Sequence, residues 1–219
     1  MIDTGFSSGH NERLAAYLHS LEPEREPLLK ELRNYAAKNN VPIVREETEA
    51  FLRTVARLAA PSRILEIGTA IAYSTIVLAE SSDAVIVTME SYDKRIPFAM
   101  ANIRRAGLDD RITLIRGDAG ESLKSLDDSF DLIFLDAAKA QYIVWLPDIM
   151  RLMHKGSVLI ADNVLQDNTV IESRFTVQRR ERTTHERMRE FLRQLKTDER
   201  LSTSILPVGD GVSFSVKIS

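Results

Sequence analysis

The most constraining feature of this sequence is a regular alternation of strand and helix patterns that begins at residue 63. Strands are predicted at residues 63–67, 84–89, 112–116, 130–135 and 157–161, and helices between them at 72–81, 93–106, 119–125 and 141–153. Several of these strands are largely apolar rather than alternating, which is typical of parallel strands covered on both faces. The pattern predicts a doubly wound α/β sheet, with ligands at the carboxyl ends of its strands.

The segments on either side of this alternation predict further elements. Helical patterns at 10–21, 26–39 and 46–60 indicate a helical extension over residues 1–60, ahead of a core over residues 61–219. Thr183 and Glu186 form a capping-box pattern that predicts a helix running to about Lys196. Residues 201–218 predict a β-hairpin turning at 209–211, because Asp-Gly favours such turns. This hairpin would close the sheet with an antiparallel last strand.

The first two predicted helices carry apolar stripes at helical spacing. The stripe residues are Leu14, Tyr17, Leu18 and Leu21 in the first helix, and Leu28, Leu29, Leu32 and Tyr35 in the second. With no strand partner nearby, these stripes must be buried on the main domain or on a second subunit. We therefore expect a homodimer.

Composition narrows the class of protein. The 219 residues are 44% hydrophobic and include no cysteine, which excludes disulfides and thiolate metal sites. No apolar run is long enough to span a membrane, and the first residues lack a signal-peptide pattern. We expect a cytoplasmic enzyme without a membrane partner. The formal net charge of −3 argues against a generally basic nucleic-acid binder.

One short segment departs from this acidic balance. Residues 174–196 carry 8 basic and 3 acidic side chains. Those on the predicted helix alternate with glutamates, so a solvated helix face explains them well. The arginines before the predicted helix start, Arg179, Arg180 and Arg182, have no such explanation, which favours a contact with a polyanion such as RNA there.

The stretch from Arg63 to Ser74 predicts a cofactor cradle. A buried strand leads into a turn at Gly68 and then into a helix, so free backbone N–H groups and the positive helix end point into the turn. The glycine pattern of this turn is degraded, and an ordinary buried turn would also fit it. Glu90, 22 positions after Gly68 at the end of the next strand, is where a ribose-binding carboxylate is expected.

Polar residues also follow the later strands. Asp118, Asp136, Asp162 and Asn163 come directly after strand patterns, so they should line the same crevice. Oxygen ligands without histidine or cysteine favour a hard cation such as Mg²⁺. Asp162 and Asn163 could equally cap a loop. Lys139 is either a solvated lysine or, beside a dication, a neutral amine able to accept a proton.

Together these motifs resemble the class I S-adenosylmethionine-dependent O-methyltransferases, in their metal-dependent catechol and caffeoyl-CoA branch. The resemblance rests on Leu-Glu-Ile-Gly-Thr-Ala at 65–70, Tyr73-Ser74, Glu90, Gly117-Asp118-Ala119, Leu135-Asp136-Ala-Ala-Lys139 and Ala161-Asp162-Asn163. It implies a Rossmann-like, seven-stranded sheet with an antiparallel last strand. Ala72 departs from the glycine usual in this family, which bears on cofactor affinity.

The resemblance also implies a role for each matched position. S-adenosylmethionine would be bound by Val44, Glu66, Gly68, Ser74, Glu90, Asp118, Ala119 and Asp136. Within that set, Glu66, Gly68 and Ser74 would cradle the methionine part, and Glu90 would bind the ribose hydroxyls. Asp136, Asp162 and Asn163 would hold Mg²⁺, and Lys139 with Asp136 would be catalytic. Lys139 would act as a base or only orient the acceptor.

A narrower resemblance is to the bacterial tRNA 5-hydroxyuridine methyltransferases. It rests on Val41-Pro42-Ile43, on Asp136 to Tyr142, on Asp162 to Leu165 and on Leu206 to Gly211. It implies the tRNA anticodon loop as substrate, methylated at the wobble position to 5-methoxyuridine. Arg174, Arg179, Arg180 and Arg182 would contact RNA, and Tyr142 and Trp145 could stack a splayed base or pack in the core.

Two alternative functions stay open at the level of sequence. The first is a small-molecule O-methyltransferase of the catechol or caffeoyl-CoA type. The second is a nucleotide-binding protein or dehydrogenase without methyl transfer, against which the oxygen-ligand trio and the terminal hairpin count.

Overall fold

The fold is built on one seven-stranded sheet, seen in a computed structural model that describes residues 8–166 and 169–219. The strands are β1 (Arg63–Ile67), β2 (Val85–Glu90), β3 (Ile112–Arg116), β4 (Phe130–Leu135), β5 (Met153–Ala161), β6 (Leu201–Leu206) and β7 (Val212–Lys217). Their order is β3-β2-β1-β4-β5-β7-β6. Strands β1 to β5 pair in parallel, and β7 runs antiparallel between β5 and β6. The predicted doubly wound sheet with an antiparallel last strand is confirmed.

Helices cover both faces of the sheet. They are α1 (Ser8–Leu21), α2 (Pro27–Asn39), α3 (Glu46–Ala59), α4 (Tyr73–Glu80), α5 (Ile96–Arg105), α6 (Ala119–Ser125), α7 (Tyr142–Arg151) and α8 (Arg182–Thr197). Along β1, Ile64 joins a core cluster with α2 to α5, and Leu65 and Ile67 join a second cluster with α6 to α8. Burial on both faces explains the continuous apolar runs of the central strands.

The structure moves several predicted boundaries. Strand β5 begins at Met153 rather than at 157. The sequence did not indicate this earlier start, because residues 154–156 are exposed and lack an apolar pattern. A 3₁₀ turn at Lys139–Gln141 precedes α7. The predicted capping box at Thr183 and Glu186 is wrong. A 3₁₀ turn at Arg179–Glu181 runs directly into α8, so Glu181 occupies the cap position, without a side-chain cap bond.

The apolar stripes of the first two helices differ in their burial. Leu29 and Leu32 of α2 are buried in the core. The stripe of α1 stays exposed, with accessible fractions between 43% and 61% for Leu14, Tyr17, Leu18 and Leu21. Burial of the α1 stripe on the main domain of the same chain is therefore wrong. The homodimer stays a prediction.

Two sequence-based expectations concern segments outside the sheet. Over residues 8–166 and 169–219, no helix combines the length and the apolar character needed to cross a membrane. The first seven residues, which carry no signal-peptide pattern in the sequence, lie outside the described residues.

Candidate active site at the carboxyl edge of the sheet

A cavity of about 510 Å³ lies at the carboxyl ends of β1 to β4. The predicted site residues that line it are Gly68, Ser74, Glu90, Asp118, Ala119, Asp136, Lys139 and Asn163. Parallel strands end at the same edge of the sheet, which is why residues spread over almost a hundred positions meet there. Most of the predicted site therefore surrounds one cavity.

The turn after β1 forms the floor of this cavity. The N–H groups of Gly68 and Thr69 both donate to the carbonyl of Met89 at the end of β2, at 3.0 and 3.1 Å. On the other side, a Cβ added to Gly68 would lie 2.0 Å from the backbone oxygen of Asp136, and its φ is +108°. Only glycine fits between the ends of β2 and β4 in this conformation.

Ala72 occupies a conformation that favours glycine. Its φ of +68° is left-handed, which costs about 1–2 kcal/mol for a residue with a Cβ atom. Its methyl group is fully buried in the core, and a buried methyl group contributes about 0.8 kcal/mol. The burial therefore offsets only part of the conformational cost. Because Ala72 does not line the cavity, it touches the cofactor site only through the turn geometry.

Glu66 stabilises the turn after β1 through buried hydrogen bonds. Its carboxylate is fully buried and accepts hydrogen bonds from Ser74 and Thr88, both at 2.6 Å, and from Thr75. Burial raises the pKa of Glu66 to about 7, although the three hydroxyl donors oppose this shift. Glu66 does not line the cavity, whereas Ser74 does. In this structure Glu66 reaches the cavity only through the hydroxyl that it orients.

We expect this buried carboxyl to make stability depend on pH. A folded-state pKa near 7, above the usual value of about 4.3, means that Glu66 contributes most below pH 4 and progressively less up to pH 7. Glutamine does not ionise, so Glu66→Gln lacks this loss of stability. From pH 5 to pH 8 the free energy of unfolding of the variant should therefore rise by about 1–3 kcal/mol relative to that of the wild type. Urea unfolding at both pH values measures the difference. Glu121→Gln, at an exposed carboxylate, should leave it unchanged, and equal pH profiles for Glu66→Gln and wild type would contradict the assignment.

Glu90 closes the far side of the turn. One carboxylate oxygen accepts the N–H of Ala70 and the other accepts the N–H of Tyr92, each at 2.8 Å. Its side chain is largely buried at the end of β2. Each oxygen keeps a second lone pair for a ligand hydroxyl. The geometry is compatible with the predicted ribose contact, which stays a prediction.

Asp118 and Trp145 line the cavity beside Gly120. Asp118 caps α6, because its side chain accepts the N–H of Glu121 at 3.1 Å. Trp145 is only 8% exposed, and its ring nitrogen lies near Gly120. Tyr142 is fully buried with its ring edge against Phe191. Tyr142 is therefore not free to stack a base, so that expectation is wrong for Tyr142, whereas Trp145 lines the cavity and its stacking stays a prediction.

Lys139 lies at the acceptor edge, defined here as Asp136, Lys139, Asp162 and Asn163. Its ammonium donates to Asp136 Oδ1 at 2.7 Å and to the hydroxyl of Tyr142 at 2.9 Å. Burial favours the neutral amine, but Tyr142 and the carboxylate of Asp136 outweigh it, so the pKa of Lys139 lies above its usual value. As placed, Lys139 is a cation that donates hydrogen bonds. Its role as a base stays a prediction.

Two carboxylates and one amide at this edge form a candidate cation site. Asp162 is 1% exposed, and its Oδ1 accepts the backbone N–H of Asn163 at 2.8 Å. Burial and the charge of Asp136 raise the pKa of Asp162 to about 7, a repulsion that a bound cation would relieve. Within the described residues no third carboxylate, histidine or cysteine completes a metal cluster. The donor set fits a hard cation only if Asn163 supplies its amide oxygen.

Comparison with known proteins identifies the family. A sequence profile of the O-methyltransferases matches residues 19–218. The chain belongs to the O-methyltransferase family. Caffeoyl-CoA O-methyltransferase 1 of Eucalyptus globulus is 30% identical over 96% of this chain and 93% of that enzyme. Catechol O-methyltransferases of Niastella koreensis and Mycobacterium tuberculosis are each 35% identical over 58% and 55% of this chain, and the matched regions span only 60% and 56% of those two enzymes.

Solved structures of the family share the whole fold. A methyltransferase of Podospora anserina, solved with SAH bound, superposes with a TM-score of 0.87 over 98% of this chain and 97% of its own, at 27% identity. An O-methyltransferase of Bacillus cereus in complex with SAH gives 0.83 at 29% identity, over 94% of this chain and 97% of its own. This O-methyltransferase chain therefore has the Rossmann-like fold that its motifs imply.

Some residues around the cavity differ from the expectation. Val44 is 2% exposed and packs in the core, and its carbonyl accepts a hydrogen bond from Arg33 at 3.1 Å. The neighbouring Pro42 and Ile43 line the cavity instead. Tyr92 and Arg95, just after β2, also line it and were not predicted. They follow Glu90 closely in sequence, which is the signal that could have indicated them.

The basic segment lies outside the cavity. Arg174 pairs with Glu186 at 2.7 Å, and Arg182 donates to the carbonyl of Val177 at 3.3 Å. Arg179 and Arg180 are exposed on the 3₁₀ turn that leads into α8. The expectation that these arginines precede the helix is therefore wrong for Arg182, which is the first residue of α8. Contact with RNA stays a prediction.

Proposed function

We propose that this protein transfers a methyl group from S-adenosylmethionine to a hydroxyl oxygen of a small catechol- or caffeoyl-type acceptor. The observation that carries the proposal is that one cavity is lined both by the cofactor turn and by Asp136, Lys139 and Asn163 of the acceptor edge. Relatives named as catechol and caffeoyl-CoA O-methyltransferases, and neighbours solved with SAH, support this donor and this acceptor class. A dehydrogenase has less support, because the family match and the neighbours solved with SAH favour a methyl donor over a nicotinamide cofactor.

The residues of the chain divide the work between donor and acceptor. The turn at Gly68, with Ser74 and Glu90, holds the donor against the ends of β1 and β2. Lys139 places a positive charge next to Asp136, where a hydroxyl losing its proton develops negative charge. Alignment of the acceptor oxygen with the methyl group then supplies much of the rate enhancement.

A divalent cation fits the same edge. Asp136, Asp162 and Asn163 would hold it, with Mg²⁺ the expected ion because every donor is an oxygen. A bound dication lowers the pKa of a hydroxyl near it, so that the oxyanion forms near neutral pH.

The function is tested by methyl transfer with purified protein. Labelled S-adenosylmethionine is offered with catechol, caffeoyl-CoA or tRNA, with Mg²⁺ or with chelator. We expect a methylated small acceptor only with Mg²⁺. Calorimetry comparing S-adenosylhomocysteine with NAD checks the donor class, and binding of NAD alone would overturn the proposal.

A second candidate is methylation of 5-hydroxyuridine at the tRNA wobble position. The observation that favours it is the exposed position of Arg179 and Arg180, with Arg180 about 79% exposed, close to the start of α8. Arg187 of α8 donates to the carbonyl of Ala140 at 3.1 Å, which ties this helix to the acceptor edge. A polyanion bound along these arginines would thus approach the cavity.

The arginines separate the two candidates. If tRNA is the acceptor, the double variant Arg179→Gln, Arg180→Gln should raise the KM for tRNA at least tenfold. The slope of log KM against log salt concentration should also fall by about 1–2. Arg57→Gln with Arg104→Gln, at exposed arginines elsewhere, is the matched control. Steady-state kinetics at several salt concentrations measure this. An unmethylated tRNA, or unchanged kinetics in the first variant, would eliminate the RNA acceptor.

A further inference from the structure

The turn of the terminal hairpin lies directly on the acceptor edge. The N–H of Val164 donates to the carbonyl of Gly211 at 2.9 Å, and the N–H of Leu165 donates to that of Asp210 at 3.1 Å. A Cβ added to Gly211 would lie within 2.5 Å of Leu165. The turn between β6 and β7 is thus in close contact with the residues that follow β5, and it is held in register with them.

The carboxylate of Asp210 joins three distant segments of the chain. It accepts a hydrogen bond from Arg45 Nε at 2.8 Å and pairs with Arg45 Nη2 at 2.5 Å. Its Oδ2 also accepts from the side-chain amide of Asn163 at 3.1 Å. Arg45 lies at the cap position of α3 and Asn163 follows β5. Asp210 therefore connects the helical extension, the hairpin turn and the acceptor edge.

The chemistry of this contact fixes the orientation of the Asn163 amide. An amide has a donor end and an acceptor end of nearly equal shape, and only its hydrogen-bond partners determine which way it lies. An ionised carboxylate accepts and cannot donate, so the NH₂ end of Asn163 must face Asp210. The oxygen of Asn163 is then turned away from Asp210, and Asn163 itself lines the cavity.

We propose that Asp210 is a positioning residue for methyl transfer, whose carboxylate presents the amide oxygen of Asn163 to the cavity. Arg45 holds this carboxylate in place. The inference rests on the proposed function, because the oriented oxygen matters only if the acceptor edge binds a cation or an acceptor hydroxyl. It goes beyond that function by assigning a role to the hairpin turn and to the start of α3.

A reciprocal exchange of donor and acceptor tests this role. Asp210→Asn replaces a carboxylate, which only accepts hydrogen bonds, by an amide that both donates and accepts. The side-chain amide of Asn163 can then adopt either of its two flipped orientations. We expect kcat to fall at least tenfold, while the affinity for S-adenosylhomocysteine stays within about twofold. Combining it with Asn163→Asp restores a donor opposite an acceptor and keeps an oxygen on the cavity side. The kcat of the double variant should be at least threefold higher than that of Asp210→Asn. The double variant should also bind Mg²⁺ more tightly in calorimetry than Asp210→Asn does.

A matched control is available in the same hairpin region. Asp198 also pairs with an arginine, Arg200, at 2.6 Å, just before β6 and away from the cavity. Asp198→Asn should leave kcat unchanged. If Asp210→Asn lowers kcat only in proportion to a lower melting temperature, and the double variant recovers nothing, Asp210 is merely structural and the proposal is overturned.

A readout independent of catalysis separates this proposal from the proposed function. In ¹⁵N spectra, the side-chain amide of Asn163 should exchange slowly with water in the wild type and quickly in Asp210→Asn. Wild-type protein that shows this protection but methylates no acceptor would contradict the proposed function alone. An Asn163 amide that exchanges equally in both proteins would contradict the positioning role, whatever the enzyme methylates.

Discussion

Replacing Gly68 by alanine should abolish cofactor binding and destabilise the fold. The added Cβ would lie 2.0 Å from the backbone oxygen of Asp136, a group that cannot move without displacing the end of β4. The φ of +108° is unfavourable for alanine as well. We expect a loss of at least about 3 kcal/mol in the free energy of unfolding and at least a hundredfold loss in affinity for S-adenosylhomocysteine.

Gly107 supplies the matched control for this variant. It also has a positive φ, +67°, but nothing lies within 4 Å of an added Cβ. Gly107→Ala should therefore show only the conformational cost of about 1–2 kcal/mol, with unchanged cofactor affinity. Urea unfolding and calorimetry measure both quantities. If the two variants behaved alike, close approach of the turn to β4 would not be the reason that glycine is needed.

The second large effect is expected at the acceptor edge. Asp136→Ala should abolish stimulation of turnover by Mg²⁺ and lower kcat at least a thousandfold, because it removes a proposed cation ligand together with the partner of Lys139. The measurement is turnover with Mg²⁺ and with chelator. Asp128→Ala, at an exposed carboxylate paired with Arg63, should keep wild-type rates. Full wild-type activity in the presence of chelator would remove the metal from the mechanism.

The sequence predicted the central sheet well because burial leaves a clear pattern. Strands β1, β3 and β4 have the predicted bounds, and each is set off by polar residues or glycine. Strand β5 was predicted too short, since its start is set by the pairing of Met153 with Phe130, and the exposed residues 154–156 lie in an irregular stretch before pairing resumes at Val158. The start of α8 was misplaced because a 3₁₀ turn and an α-helix share similar polar residues at their junction. Hydrogen bonding, rather than apolar burial, decides these two boundaries.

The candidate site was predictable to the extent that topology determines it. Glu90, Asp118 and Asp136 each follow a parallel strand, so the sheet brings them to one edge without further information. The contact between Arg45 and Asp210 spans 165 positions and leaves no periodic signal in the sequence. The sequence also left two acceptor classes open, because packing imposes no pattern on surface segments such as the basic stretch.

The position of β7 between β5 and β6 has a consequence for the order in which the cavity forms. The donor half depends on β1, α4 and β2, which are neighbours in sequence as well as in space. The acceptor half depends on the hairpin turn meeting both Asn163 and the start of α3, contacts of high sequence separation that cost more loop-closure entropy to form. Local unfolding of the hairpin would accordingly separate Asp210 from Asn163, while the turn after β1 keeps its own hydrogen bonds to β2. The cavity thus joins a donor half held by local contacts to an acceptor half that also needs contacts between distant segments.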